Sequence, residues 1–340
     1  MVQQLMDAGR GKNPPRVSAV INFLNEERFL QEAIDSVFAQ TFGDWELLLV
    51  DDGSTDASTG IARRHAEMHP EKVRYLEHEG HRNRGMSASR NLGVREARGD
   101  YIAYLDGDDV WMPDKLENQV AILESHPEAA MVCGPLLEWH SWNPNAEGTG
   151  RDRIYGAGPT GHHPFADTVV DPPDLLSLFL RDERFIPAAA LIRRHAIERA
   201  GGAEEEFRDS YQDAVFFVKL CRTEKVVVSA ALGYKYRKHP NSYTTREVRS
   251  GQDGINRLKY LDWIEKYFIR KNYRDKKVWR ELRRSRFLAR HPALQLGWDA
   301  GYIAYRLKLL AREMVSERMY ESMRATAAKC RRRSPSREAL

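Results

Sequence analysis

Asp106, Asp108 and Asp109 crowd three carboxylates into four consecutive positions, with Gly107 between the first two. Like charges this close are costly unless something positive shares their site. Spaced as Asp-x-Asp, they suit a hard divalent cation that also binds phosphate oxygens. Gly107 lets backbone and ligand come close. The residues just before them, Tyr101 to Leu105, form a short apolar, aromatic run that reads as a buried strand ending abruptly in the acids. The competing reading is a polar loop capping the next helix, which Pro113 and Asp114 open.

The elements around this cluster decide between the two. Arg16 to Ile21 predicts a first buried strand, broken at Asn22-Phe23-Leu24-Asn25. Asn25 is expected to cap the following helix, with Glu26 and Glu27 in its first turn and Leu30, Ala33, Ile34, Val37 and Phe38 as its core stripe. Trp45 to Val50 is a second strand whose near-continuous apolar run fits a sheet covered on both faces. It leads into Asp51-Asp52-Gly53-Ser54-Thr55-Asp56, and Asp56 or Ser58 can cap a helix to about His69. Val73 to Leu76 is a third strand, and Ser87 to Ala97 a helix ended by Gly99.

This β-α-β-α-β order predicts right-handed crossovers between parallel strands, with ligands beyond the strands' carboxyl ends. Asn22 and Asn25, Asp51 and Asp52, and Asp106 and Asp108 then converge on one edge, which favours a site over a polar loop. Carboxylates with a metal point to a diphosphate leaving group, and Asp51 or Asp52 can accept from a nucleobase N–H or from ribose hydroxyls. The glycine loops of dinucleotide-binding and P-loop proteins do not follow the first strand.

Composition sets the bounds. The 340 residues are 42% hydrophobic and 30% charged, in the range of a globular protein of one or two domains. Cys133, Cys221 and Cys330 have no metal-ligand spacing, and so sparse an odd count suggests a reducing compartment. Met1 to Arg16 lacks the apolar core of a signal peptide, and no run reaches the roughly 18 apolar residues of a membrane span. The net charge of +4 hides an asymmetry: from Ile255 onward 23 Lys and Arg face 9 Asp and Glu, a balance of +14 against −10 for the rest.

From Val17 to about Val132 the chain resembles the nucleotide-binding half of the family 2 glycosyltransferases of GT-A fold. The matching pieces are Val50-Asp51-Asp52-Gly53-Ser54-Thr55-Asp56, Ser89-Arg90-Asn91-Leu92-Gly93, Gly99-Asp100-Tyr101 and Leu105-Asp106-Gly107-Asp108-Asp109, in the family's order and spacing. The resemblance implies inverting sugar transfer from a nucleotide diphosphate sugar, a UDP-sugar first, with Mn²⁺ or Mg²⁺ as cofactor. It implies that Asp51 and Asp52 contact base and ribose, that Asp108 ligates the metal, and that Asp106 faces ribose or metal. Asn22-Phe23-Leu24-Asn25 replaces the family's Pro-x-Tyr-Asn, so Leu24 packs on the base without a ring. Asn22, Leu24, Asn25 and Arg90 complete the expected nucleotide site, Arg90 facing phosphate or capping its own helix.

The second half must supply an acceptor site and a base. Tyr211-Gln212-Asp213-Ala214 resembles the family's Glu-Asp pair, with Gln212 for Glu, and places Asp213 as the base; Glu204, Glu205, Glu206 and Asp209 compete. Tyr236-Arg237-Lys238-His239-Pro240-Asn241-Ser242 resembles an Arg-x-His-x-x-Ser closing segment. There His239 completes the metal shell or touches the diphosphate, and Arg237 or Lys238 neutralises the leaving phosphate. Glu138 to Asp174, with Trp139, His140, Trp142, His162 and His163, is expected to be an acceptor loop. Helices follow, carrying Leu258, Leu261, Ile264, Tyr267 and Phe268, then from Lys276 to about Arg290, then from Leu294 to about Met323 with Leu296, Trp298, Tyr302, Tyr305, Leu309 and Met314. They pack on the catalytic domain or on another copy, or rest on an anionic membrane.

The expected architecture is α/β: a mostly parallel central sheet with helices on both faces and a helical C-terminal extension. Residues 1–15 form a flexible N-terminus. Residues 16–250 form the catalytic domain, with a nucleotide-sugar half at 16–135 and an acceptor half at 136–250. Residues 251–325 form a basic helical extension and 326–340 a disordered tail. The expected activity is non-processive transfer of one hexose to a glycan or lipid-linked acceptor hydroxyl in surface glycan or polysaccharide biosynthesis. The expected place is the cytoplasm or the inner face of the membrane, with peripheral membrane contact and a homo-oligomer left open and no nucleic-acid partner. The alternative is a catalytically silent sugar-nucleotide scaffold acting through its basic tail. A nucleotidyltransferase shares the sheet but would carry a glycine- and basic-rich phosphate loop.

Overall fold

The computed structural model describes residues 14–143, 151–156, 163–208, 210–291 and 294. The chain divides into two compact units, residues 1–142 with 151–286, and residues 143–150 with 287–340. The second lies almost entirely outside the described residues, as do the expected helix beyond Leu294 and the tail.

In the first unit, β1 (Val17–Phe23), β2 (Trp45–Asp51), β3 (Val73–Glu77) and β4 (Tyr101–Asp106) are parallel neighbours in the order β3-β2-β1-β4. The crossovers are α1 (Leu30–Phe38), α2 (Ser58–Met68) and α3 (Met86–Glu96). Every residue of β1 and β2 is buried, which is why both read as nearly continuous apolar runs, broken only by Ser18 and Asn22 in β1 and by Glu46 and Asp51 in β2. After β5 (Val110–Trp111) and α4 (Lys115–Ser125) come β6 (Ala129–Cys133), β7 (Leu136–Trp139), β8 (Arg153–Tyr155) and β9 (Thr168–Val170). Then follow α5 (Asp174–Arg181), β10 (Leu191–Arg193), α6 (Arg194–Ala200), α7 (Gln212–Cys221), β11 (Lys225–Val228) and β12 (Tyr234–Arg237). The main sheet continues from β4 through β10, β6 and β11 to β9, with β10 antiparallel to both of its neighbours. A second sheet, in the order β5-β12-β7-β8, sets β12 beside the residues that follow β4.

The helices α8 (Tyr243–Ser250), α9 (Asp253–Arg270) and α10 (Lys276–Arg290) follow. Tyr260, Leu261, Ile264, Tyr267 and Phe268 are the buried stripe of α9; Leu258 is only half-buried. Several basic groups of α10 meet acids of the same unit: Lys277 pairs with Asp174, and Arg286 with Asp262. Among the described residues no helix is long and apolar enough to cross a membrane.

Three local expectations change. The first strand runs to Phe23, because the ladder continues: Asn22 pairs with Asp106, and Phe23 with Asp51. Asn25 does not cap α1. It lies at φ +58° and accepts from the Thr55 N–H at 2.7 Å, while α1 begins only at Leu30. The backbone of residues 25–27 is instead held by side chains of the loop after β2 and of the first residue of α2, with Asn25, Glu26 and Glu27 donating their N–H groups to Ser54, Ser58 and Asp56. That competition for the N–H groups keeps the segment out of helix. Finally, Glu138 to Asp174 is not one loop: β8 and β9 interrupt it, and His162 lies outside the described residues.

Candidate active site at the carboxyl edge of the sheet

The polar strand ends meet as register requires. Asp106, the last residue of β4, accepts from Asn22 Nδ2 at 3.2 Å and from Arg90 Nη2 at 3.1 Å. Arg90 projects from α3, with its guanidinium 5.5 Å from the Tyr104 ring centre. Burial opposes the charge on Arg90, but Asp106 and Asp213 outweigh it and hold the group above its ordinary range. Partial burial raises the Asp106 carboxyl; Arg90 opposes that and Asp108 adds to it. Asn22 Oδ1 and Arg90 Nε are buried without a hydrogen-bond partner among the described residues, polar capacity left unused beside Asp106.

Asp108, two residues on, points elsewhere. Its Oδ2 lies 3.1 Å from His239 Nε2. Glu26 joins them: one donor atom from each of Glu26, Asp108 and His239 falls within 4.8 Å of the others. Glu26 is delivered by the loop that fails to become helix. Its carboxyl is pushed up to about 8 by burial and by Asp108 and Asp106. Gly107 makes this approach possible, since a Cβ there would meet Phe23 Cβ at 2.8 Å and Glu26 Cβ at 3.4 Å. Its tight neighbours are thus parts of this protein, where the sequence suggested a ligand. Asp109 is structural: 2% exposed, it accepts the Arg237 N–H at 2.8 Å.

Arg237 does not face a leaving phosphate. It is 2% exposed and lies against the rings of Phe29, Trp139 and Trp142, at 4.7, 4.6 and 5.1 Å from their centres. It donates to the Asp108 carbonyl at 2.7 Å and to Glu32 at 2.5 Å. The two tryptophans of the expected acceptor loop therefore pack around a buried guanidinium, a cation–π arrangement. Lys238 is half-buried with its amine 4.7 Å from the Tyr236 ring centre, and burial lowers its pKa. His163 packs edge-on against Phe185, and burial brings it down to about 4.

The other expected nucleotide residues are largely engaged within the protein. Asp51 is wholly buried; it accepts from the Gly53 and Ser54 N–H groups, Thr59 Oγ1 and the Tyr75 hydroxyl. Asp52 accepts the Arg84 and Gly85 N–H groups at 2.7 and 3.0 Å. In this arrangement both carboxylates order the loops that border the edge, and Asp51 has no free face. Leu24 stands 38% exposed at the rim.

Asp213 lies in the first turn of α7 and is exposed. Tyr211 before it adopts φ +76°, a left-handed conformation costly for a bulky side chain. Gln212, which stands where the family has Glu, accepts from the Ser87 N–H and hydroxyl at 3.2 and 3.1 Å and ties α7 to the start of α3. Among the competing acids, Glu204 pairs with Lys219 at 2.6 Å, and Glu205 accepts from Asn91 at 2.9 Å. Glu206 is exposed and Asp209 lies outside the described residues.

Glu26 is the group that reading the sequence missed. The signal was available: two acids directly after the first strand, on the edge where Asp108 also ends.

The sequence and fold both have relatives. The chain is 41% identical over 123 residues to a protein named as a glycosyltransferase, EpsE of Bacillus subtilis (strain 168), a match covering 36% of this chain and 44% of that protein. The chain thus spans less than half the length of that relative. Its fold is similar to that of the mannosyltransferase PcManGT from Pyrobaculum calidifontis, solved with GDP-Man and Mn²⁺, with a TM-score of 0.56 at 18% identity over 96% of this chain and 86% of that one. It is also similar to S. aureus TarS 1-349 solved with UDP-GlcNAc, with a TM-score of 0.54 at 18% identity over 72% and 65% of the two chains. These likenesses give the mostly parallel sheet its GT-A type. The family model described as glycosyl transferase family 2 matches residues 18–198, more than half of the 340 and all three polar strand ends, and the chain belongs to that family.

Proposed function

We propose that this chain transfers one sugar, with inversion, from a nucleotide diphosphate sugar to an acceptor hydroxyl, and that it does so with a divalent cation. The carrying observation is the cluster of Glu26, Asp108 and His239 at the sheet edge where Asn22 and Asp106 also end. Two carboxylates and an imidazole fit Mn²⁺, and the carboxylates fit Mg²⁺. When bound there, the cation supplies positive charge opposite the diphosphate as it leaves. Asn22 and Arg90, which both donate to Asp106, border the nucleotide's polar groups, and Leu24 packs on the base. Asp106, held by Arg90, faces the ribose.

Asp213 takes the proton from the acceptor hydroxyl. The hydroxyl oxygen then forms its bond to the anomeric carbon as the bond to the diphosphate breaks on the opposite side. Its place at a helix start, with Gln212 anchored to Ser87, supports this role. A UDP-sugar is the first donor to test, with GDP-sugars next, because the structural neighbours include proteins solved with UDP-GlcNAc and GDP-Man. The acceptor is a glycan or a lipid-linked sugar met at the cytoplasmic side of a membrane.

A thermal-shift panel of UDP, GDP, CDP and dTDP, each with and without Mn²⁺, tests the reading. A ligand at about 100 times its dissociation constant stabilises by about 2.7 kcal/mol. One nucleotide that shifts melting only with Mn²⁺ supports the proposal and names the donor class. No shift with any of them defeats it.

A further inference from the structure

We infer that Tyr211 is a positioning residue for Asp213, and that through it the helix α9 sets the aim of the base. The inference rests on the glycosyl-transfer reading above. Tyr211 is the residue on which α7 begins: it stands at φ +76°, and its carbonyl accepts the Val215 N–H at 2.8 Å. Asp213 lies two residues on, inside the first turn. The one hydrogen bond of its carboxylate among the described residues is to the adjoining Ala214 N–H, at 2.7 Å. Its aim is therefore set by the backbone that precedes it.

A left-handed conformation at a bulky residue persists only where the surroundings over-determine it. Here they do so from outside α7. The Tyr211 ring stacks on the Tyr260 ring, with centres 4.9 Å apart and planes 10° from parallel. Tyr260 belongs to α9 and is 1% exposed. Its hydroxyl has no hydrogen-bond partner among the described residues, so what it offers Tyr211 is the face of its ring. The Tyr211 hydroxyl donates to Glu183 Oε2 at 3.2 Å.

Glu183 is pinned in turn. Its Oε1 accepts from Arg257 Nε at 2.6 Å, and its carbonyl accepts from the Tyr155 hydroxyl at 3.1 Å. Arg257 and Tyr260 are three positions apart on α9, neighbours on one face of the helix. That face grips Tyr211 twice, once through the stacked ring and once through Glu183. The next residue is held by a different element: Gln212 accepts from the Ser87 N–H and hydroxyl in α3. Two consecutive residues are thus tied to α9 and to α3 directly ahead of a carboxylate that has no distant hydrogen-bond partner of its own.

Turnover of the full chain tests this with UDP-glucose, UDP-GlcNAc and GDP-mannose in MnCl₂, water serving as acceptor and the released nucleoside diphosphate being measured. Tyr211→Phe keeps the stack and loses the bond to Glu183. It is expected to lower kcat by about tenfold, with KM for the donor and the nucleotide thermal shift unchanged. Tyr211→Gly is expected to keep more turnover than Tyr211→Ala, because glycine reaches a positive φ without strain; a side chain that only filled space would give the reverse order. In the Asp213→Asn background Tyr211→Phe is expected to cost nothing further, since groups that act through one another do not add. Amide hydrogen exchange at Ala214 and Val215 reads the positioning without any donor, and is expected to quicken by about three- to tenfold in Tyr211→Phe. Unchanged exchange, parent kcat in Tyr211→Phe, or a Tyr211→Phe loss that reappears in full beside Asp213→Asn overturns the inference alone. Near-normal turnover in Asp213→Asn sinks the base assignment and the inference with it, and the absence of any nucleotide shift sinks the transfer reading.

Discussion

His239 Nε2 stands 3.1 Å from Asp108 Oδ2, although 131 positions separate the two residues. The pairing is enforced by Arg237, whose N–H reaches Asp109 and whose Nε reaches the Asp108 carbonyl. Two residues later the chain can only set His239 beside the Asp108 carboxylate.

Asp108→Asn is therefore expected to weaken Mn²⁺ binding by at least about tenfold, read by the EPR signal of free Mn²⁺. In the metal-free protein above about pH 8, where Glu26 has lost its proton, the same substitution should raise the melting temperature, because Asp108 then repels the Glu26 carboxylate. Undiminished metal affinity would remove Asp108 from the ligand set.

Glu26 is expected to make metal affinity depend on pH. Burial, Asp108 and Asp106 hold its proton up to about pH 8, and a cation must displace that proton. Mn²⁺ affinity should rise between pH 6 and pH 8, by at most about tenfold per unit from this group, and flatten above. Glu26→Gln should bind metal more weakly and lose this part of the slope. Identical pH profiles for the two proteins would place Glu26 outside the site.

Asp213→Asn should lower turnover by about 10² to 10⁴ while leaving the nucleotide thermal shift as in the parent. Near-normal turnover would move the base to Glu206 or Asp209.

Lys115 gives a test of the fold apart from the site. It opens α4 at 2% exposure, its ammonium 4.5 Å from the Trp111 ring centre and donating to Gln119 at 2.7 Å. Burial lowers its pKa from 10.5 to about 7. Between those values the unfolded chain binds a proton that the folded chain does not, so this residue's contribution to stability rises with pH, by at most about 1.4 kcal/mol per unit. The stability of Lys115→Met relative to the parent should therefore be greatest near pH 7 and decline towards pH 10, as measured by urea unfolding. A constant difference would mean the lysine is charged in both states.

The parallel half of the sheet was legible because its signals are local. Buried strands need continuous apolar runs, and their ends need turn residues, so Val17 to Asp106 could be read segment by segment. The same logic brings Asn22, Asp51, Asp52, Asp106 and Asp108 to one edge from the sequence alone. The helix expected from Lys276 to about Arg290 is likewise found, as Lys276–Arg290.

What each polar group does at that edge was decided by partners far away in sequence. Asp106 faces Arg90 and Asn22 because α3 and β1 flank it, and so Glu26 joins Asp108 and His239 in its place. Glu26 is there because Ser54, Asp56 and Ser58 hold residues 25–27 out of helix. Arg237, Trp139 and Trp142 turned inward because one buried guanidinium found three rings, Glu32 and a carbonyl together. Sequence alone determines which residues are apolar, which are charged and how far apart they fall along the chain. Which charge neutralises which is set by three-dimensional proximity, since electrostatic and hydrogen-bond energies depend on distances of a few ångströms that spacing along the chain does not contain.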